Sequence, residues 1–210
     1  METGNVMNID PKHAALLLLD LQNEMVDPKG KIGGGGLAKI AAERGVLANA
    51  SRALAAARAA QMMVVHVRLG FRPDYADGLS VAPRVAKLKE HQAAIVGSWG
   101  TEFPDAVKPN ADELVITKQC VNPFFNTALL TLLMRRGIQR VVLGGVATNL
   151  VVESTARYSD DAGFAVTVLE DCCASPNPDW HRFAVEKMLP LFGEVVATDD
   201  FVSAVSATAA

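Results

Sequence analysis

Cysteine is scarce in this chain: three in 210 residues, two of them adjacent at Cys172 and Cys173. So low and odd a count offers no disulfide framework, which excludes a small secreted scaffold and makes a reducing cytoplasm the expected location. An excess of charge of one sign is missing as well. Twenty basic against 23 acidic side chains leave a formal net charge of −3, with no basic surplus to neutralise a phosphate backbone. Nucleic acid is therefore not an expected partner. Long apolar runs are absent too: residues 14–19 are apolar, but Asp20 closes the run far short of a bilayer span. No membrane association is expected, and residues 1–13, without a basic stretch leading into a long apolar one, read as untargeted. No Gly-x-Ser-x-Gly occurs, so the strand-to-helix turn of a serine nucleophile is lacking.

What the chain has in plenty is apolar surface. Half of the residues are hydrophobic and a fifth charged, which excludes intrinsic disorder. The length suits one domain, and no repeat, low-complexity tract or linker divides it, so residues 1–210 are read as a single domain. Short apolar runs alternate with segments of helical period. Strand-like runs fall at residues 14–19, 62–67, 113–117, 141–143, 164–169 and 194–197. Between them, 37–60 places Ile40, Leu47 and Leu54 on one helical face. Asn122-Pro123 and Asn177-Pro178 each read as a cap followed by proline at the first helical position. The first of these helices carries Phe125, Leu129, Leu132 and Leu133 as its stripe, with Arg135 and Arg136 in the last turn and Gly137 as cap. The second puts Trp180, Phe183, Ala184, Met188 and Leu191 on one face. Strands that are apolar throughout and joined by helices predict an α/β fold with a parallel sheet covered on both sides. Residues 70–101 lack periodicity, and so long an irregular stretch inside a compact domain reads as a binding loop or lid.

In such a fold ligands bind beyond the carboxyl ends of the strands. Three polar places follow strands directly: Asp20-Leu21-Gln22, Lys118, and the turn from Ala147 to Val151. An acid, a cation and a glycine-led turn with free amides would meet there, and such amides favour developing negative charge. Taken singly, a carboxylate ending a strand also serves as a turn residue, and a lysine there is often solvated. The residues alone leave a hydrolase-like pocket with its chemistry open.

Ala15 to Asn23, with its Asp20-Leu21-Gln22-Asn23 turn, resembles the opening strand of the isochorismatase-like hydrolase superfamily. Thr117-Lys118, followed by Phe124 to Leu129, is similar to that family's lysine strand and the segment after it. Gly145-Val146-Ala147-Thr148-Asn149 with Val152 to Arg157 resembles its active-site turn and helix, and Glu170 to Ser175 with His181 its closing strand and following helix. The resemblance runs in order from about residue 14 to 198. It implies a three-layer α/β/α sandwich with a six-stranded, mainly parallel sheet, assembled as a dimer or tetramer, and a cis peptide at Val146-Ala147. It also implies hydrolysis of a small metabolite with no cofactor, Asp20 and Lys118 acting as catalytic residues and Gln22, Phe125, Ala147 and Val151 bordering the substrate.

Two departures matter. The family's cysteine hydrolases carry their nucleophile where this chain has Val151, which offers no thiol, hydroxyl or proton. Losing such a group costs on the order of 10⁶ in turnover, so thioester chemistry at that position is excluded. Members without the cysteine hydrolyse a vinyl ether by protonating it from the Asp, and that branch is the one expected here. The alternatives are water attack on a small amide, with Asp20 as base, and a non-catalytic binding homologue. Ser98-Trp99-Gly100 is similar to a segment beside the pocket of that branch, which makes Trp99 a further binding candidate. The second departure is metal: His66 and Asp74 stand isolated, with no pair of histidines at ligand spacing, and no metal is expected. For acid chemistry burial must lift Asp20, while Lys118 pulls it down.

The remaining polar candidates have plainer readings. Cys120, Cys172 and Cys173 read as small buried hydrophobes, and His66 and His181 as structural. The run Gly33–Gly36 lacks the Lys-Ser/Thr of a phosphate loop and reads as a flexible turn beside the pocket. Arg68 and Arg72 are candidates to clamp a substrate carboxylate, the substrate being expected to be anionic.

Overall fold

Six strands, Ala14–Leu19 (β1), Met63–Leu69 (β2), Leu114–Lys118 (β3), Arg140–Val146 (β4), Ala165–Ala174 (β5) and Glu194–Val196 (β6), form one sheet in the order β3-β2-β1-β4-β5-β6. The computed structural model describes residues 9–78 and 81–208, so most of the untargeted stretch read at residues 1–13 lies outside it. All five strand pairings are parallel, where the resemblance implied a mainly parallel sheet. Parallel neighbours need crossovers, and the helices supply them. They are Asn23–Val26 (α1), Leu37–Glu43 (α2), Val46–Ala59 (α3), Pro83–Glu90 (α4), Leu129–Arg135 (α5), Glu153–Asp161 (α6), Pro178–Phe183 (α7) and Thr198–Thr208 (α8).

The all-leucine character of β1 follows from its place. It is central, and alternate side chains serve two cores. Leu16 and Leu18 pack with residues of α2, α3 and α8, while Leu17 and Leu19 pack with residues of α5 and α6. A strand covered on both faces has no reason to alternate with polar residues. The crossing from β1 to β4 is also the point where the strand order reverses, which is where such a sheet opens a crevice. There β4 runs so close to β1 that a Cβ on Gly145 would meet the Leu19 carbonyl oxygen at 2.1 Å, and its φ is +153°. Only glycine fits.

Four details depart from the sequence reading. The expected helix over 37–60 is two helices, interrupted at Arg44-Gly45, with Gly45 at φ 68°. Helix α5 starts at Leu129, seven residues after Asn122, which instead caps a turn by accepting from the Phe124 amide at 2.8 Å. Phe125 consequently sits outside the stripe and is 61% exposed, while Phe124 is buried and stacks on Tyr158. The irregular stretch 70–101 contains helix α4. Among the described residues no helix is long and apolar enough to cross a membrane.

Candidate active site

Asp20 is the residue at which the central strand ends, in a left-handed conformation with φ 57°, which Asp tolerates better than most side chains. Its amide donates to the Val67 carbonyl at 2.9 Å, so the turn is tied to β2. Two strands away, Lys118 closes β3 with its side chain turned inward and only 1% exposed. Its Nζ donates to Asp20 Oδ2 at 2.8 Å and to the Cys120 carbonyl at 3.0 Å. The other carboxylate oxygen, Oδ1, is buried with no hydrogen-bond partner. Burial pushes the Asp20 carboxyl above the ordinary carboxylate range, against the opposing charge and hydrogen bond of Lys118. The balance that the sequence left open falls on the side of desolvation.

Both residues line a cavity of about 250 Å³. The turn after β4 supplies another wall through Val146, Ala147, Asn149, Leu150 and Val151, and the Val146-Ala147 peptide is cis. The rest is mostly apolar: Met25, Ile32, Leu37, Leu69, Leu88, Val121, Pro176 and Trp180, with Cys120 and Arg84. Among the expected residues, the cavity brings together Asp20, Lys118, Ala147 and Val151. It does not include Gln22, Trp99 or Phe125. Gln22 is wholly buried and acts as a brace, its Nε2 donating to the Leu69 and Gly100 carbonyls at 3.0 and 3.1 Å while Oε1 accepts from the Leu69 amide. Trp99 lines a separate open cleft with Asn23, Arg68 and Phe103, and Phe125 faces outward.

The arginine clamp also differs from expectation. Arg68 donates to Thr117 Oγ1 and the Thr101 carbonyl, and Arg72 pairs with Asp74 on the surface. Neither lines the Asp20 cavity; the guanidinium there belongs to Arg84. That residue was hidden in the stretch read as irregular, and the one signal for its helix was Pro83 at the helix start. The Gly33–Gly36 turn does lie beside the cavity, since flanking Ile32 and Leu37 line it, and only its start is closely packed, Gly35 and Gly36 facing open space. A Cβ on Gly33 would meet the Met25 carbonyl oxygen at 2.5 Å.

The thiols sort by position. Cys172 and Cys173 are fully buried, and burial raises both, Cys173 to about 12. Cys120 is half-buried in the cavity wall, its Sγ donating to the Asn122 carbonyl at 3.1 Å. Burial raises it too, with Lys118 and Arg84 opposing. A neutral thiol engaged as a donor is a poor nucleophile. His66 is buried against Glu113 at 3.1 Å, and His181 Nδ1 shares a 2.8 Å hydrogen bond with Thr148 Oγ1.

The isochorismatase domain family matches residues 14–200. A cysteine hydrolase from Pseudomonas syringae pv. phaseolicola is similar in structure, with a TM-score of 0.83 and 26% identity over 99% of this chain and 100% of that one. An isochorismatase family protein from Burkholderia thailandensis matches with a TM-score of 0.78 and 28% identity over 96% of this chain and 100% of that one. The pyrazinamidase of Pyrococcus horikoshii, solved in complex with zinc, shares the fold at a TM-score of 0.71 and 21% identity, covering 88% of this chain and 99% of that one. The chain belongs to the isochorismatase family, and it is a hydrolase. Zinc does not fit these residues: among the described residues no group of three or more His, Cys, Asp or Glu stands together as a metal ion requires.

Proposed function

We propose that this protein hydrolyses a small anionic metabolite at the Asp20 cavity by general acid catalysis, without a metal and without a cysteine nucleophile. The observation that carries this reading is Asp20 itself. One oxygen is anchored on buried Lys118 at 2.8 Å, while the other, buried and unpartnered, belongs to a residue of the cavity wall that also presents Val151. A carboxyl lifted by burial keeps its proton to higher pH than an ordinary one, which is what a donor needs. Lys118 fixes the orientation of the acid and compensates its charge after proton loss.

For a vinyl ether the steps balance as follows. The Asp20 proton passes to the enol-ether carbon, and water adds to the oxocarbenium carbon. The proton released by that water returns to the Asp20 carboxylate, and the hemiketal expels the alcohol. Apolar walls keep other water away from the cation. Amide hydrolysis by water attack is the alternative, with Asp20 ionised and acting as base. Burial works against that form of Asp20.

The dimer or tetramer of the family belongs to the same reading, with exposed Trp180, Phe183 and Leu191 as apolar surface for such a contact. Light scattering measures it. The chemistry is tested by screening a metabolite extract for products heavier by one water, or for the corresponding pair of fragments. The wild type, Asp20→Asn and Cys120→Ser are compared. Turnover is expected in the wild type and in Cys120→Ser, and a loss of roughly 10²–10⁴-fold in Asp20→Asn, the usual worth of a general acid. An undiminished Asp20→Asn rules out the acid mechanism. Loss in Cys120→Ser alone assigns the chemistry to that thiol, and no turnover in the wild type overturns the proposed substrate class.

A further inference from the structure

Three charged side chains line the cavity. Two of them, Asp20 and Lys118, are paired with each other at 2.8 Å. The third, Arg84, makes no hydrogen bond or ion pair among the described residues. It lies in the second position of helix α4 and is exposed, so its guanidinium stands at the solvent side of a cavity whose deeper wall is Leu69, Val146 and Val151. Lys118 Nζ is held by Asp20 Oδ2 and the Cys120 carbonyl, so the cation of the wall left without a protein partner among the described residues is Arg84. An anion entering the cavity therefore finds one unsatisfied cation with a planar, bidentate donor face suited to a carboxylate. The volume of about 250 Å³ falls below the roughly 300–1,000 Å³ typical of drug-sized ligands, so the ligand body is compact.

We infer that Arg84 is the specificity residue of this cavity, and that the ligand is a compact, largely apolar monocarboxylate. Its carboxylate pairs with the guanidinium, and its apolar end lies toward Asp20. The binding half of this inference stands on the cavity alone. That the bound molecule is the substrate rests on the function proposed above.

Cys120 provides a reporter that needs no turnover. It lines the same cavity half-buried, whereas Cys172 and Cys173 are fully buried. Iodoacetate and iodoacetamide are nearly equal in size and differ in charge. In each case the Cys120 thiolate forms a bond to the methylene carbon, iodide leaves with the bonding pair, and the thiol proton goes to buffer. Rates of labelling at Cys120, resolved by peptide mass spectrometry, are compared in the wild type, Arg84→Gln and Arg84→Lys. Any change in the acidity of the thiol enters both rates alike and cancels in their ratio.

The iodoacetate-to-iodoacetamide ratio is expected to fall about fivefold in Arg84→Gln and to be largely restored in Arg84→Lys, as for loss and return of one exposed charge pair. 4-Methylpentanoate is expected to protect Cys120 in the wild type, and its neutral amide to protect it far less. An unchanged ratio in Arg84→Gln, or equal protection by acid and amide, overturns the inference. So does a wild-type Cys120 that iodoacetamide labels and iodoacetate does not, since the cavity would then admit the neutral reagent and exclude the anion. In an Asp20→Asn background the same dependence on Arg84 is expected, so failure of the anion site and failure of the acid chemistry are read separately.

Discussion

A carboxyl and an ammonium group brought together out of water normally settle as an ion pair, and at Asp20 that tendency meets its limit. Burial acts on both oxygens, but Lys118 reaches only Oδ2, and Oδ1 stays without a partner. The native state therefore binds the Asp20 proton more tightly than the unfolded chain does. Stability from this source is present below the ordinary carboxylate range and is lost as pH rises through the folded value. The proton-donor form follows the same course, so turnover by this acid declines with rising pH, at a point above where a solvated aspartic acid would lose it. Lys118→Met removes both influences that hold the carboxyl down, a charge and a hydrogen bond, and leaves desolvation unopposed. The Asp20 carboxyl is then expected to titrate at higher pH than in the wild type, as followed by carboxyl carbon NMR. An unchanged or lower midpoint would mean that the pair is not coupled as drawn. Val151 was legible from the resemblance, two residues beyond Asn149, and it lines the cavity.

Elements in this fold are fastened at the end of the sheet away from the cavity as well. Glu113, just before β3, receives Nε and Nη2 of Arg58 from α3 at 2.7 and 2.8 Å, and faces buried His66 on β2 at 3.1 Å. Burial pushes Glu113 up, but Arg58, the Asn110 amide and His66 together bring it down to about 2 from 4.5. A depressed carboxyl contributes stability above its unfolded value that is lost as pH falls toward the folded one. With allowance for solvent at the partly exposed Arg58, the clasp is worth about 2 kcal/mol. Glu113→Gln is expected to lower the unfolding free energy by that order at pH 7, and by much less at pH 2.5, in urea titrations at both pH values. Equal losses at the two would place the effect in packing instead. Such clasps are invisible in the sequence, since Arg58 and Glu113 are 55 positions apart and ordinary by type. Strands β1 and β4 were visible because continuous burial leaves a continuous apolar run. Helix α4 was not, because Val85 is its one buried residue and gives periodicity nothing to repeat. Arg84 was lost with it, while Asp20 and Lys118, ending strands, stood out.

At the level of the whole molecule, rigidity is distributed unevenly around one crevice. Asp20, Lys118 and the turn after β4 stand on β1, β3 and β4, strands joined through parallel ladders, and β1 is buried at every position. The facing wall, with Arg84 and Leu88, stands on α4, which is anchored by Val85 and by the Tyr75 hydroxyl donating to the Leu88 and Ala93 carbonyls. Few buried contacts mean a low free energy of local opening, whereas the central strands open only with global unfolding. On the proposed reading the acid chemistry stands on the well-buried strands and charge recognition on a helix with one buried residue. Native-state hydrogen exchange should show α4 amides exchanging orders of magnitude faster than those of β1 and β4. Addition of 4-methylpentanoate should slow α4 selectively, because a ligand held by Arg84 binds only the closed arrangement and stabilises it by mass action. Slowing of every segment alike would mean that the ligand stabilises the fold without engaging α4. Protection of α4 equal to that of β1 in the free protein would mean that the two walls form one rigid body.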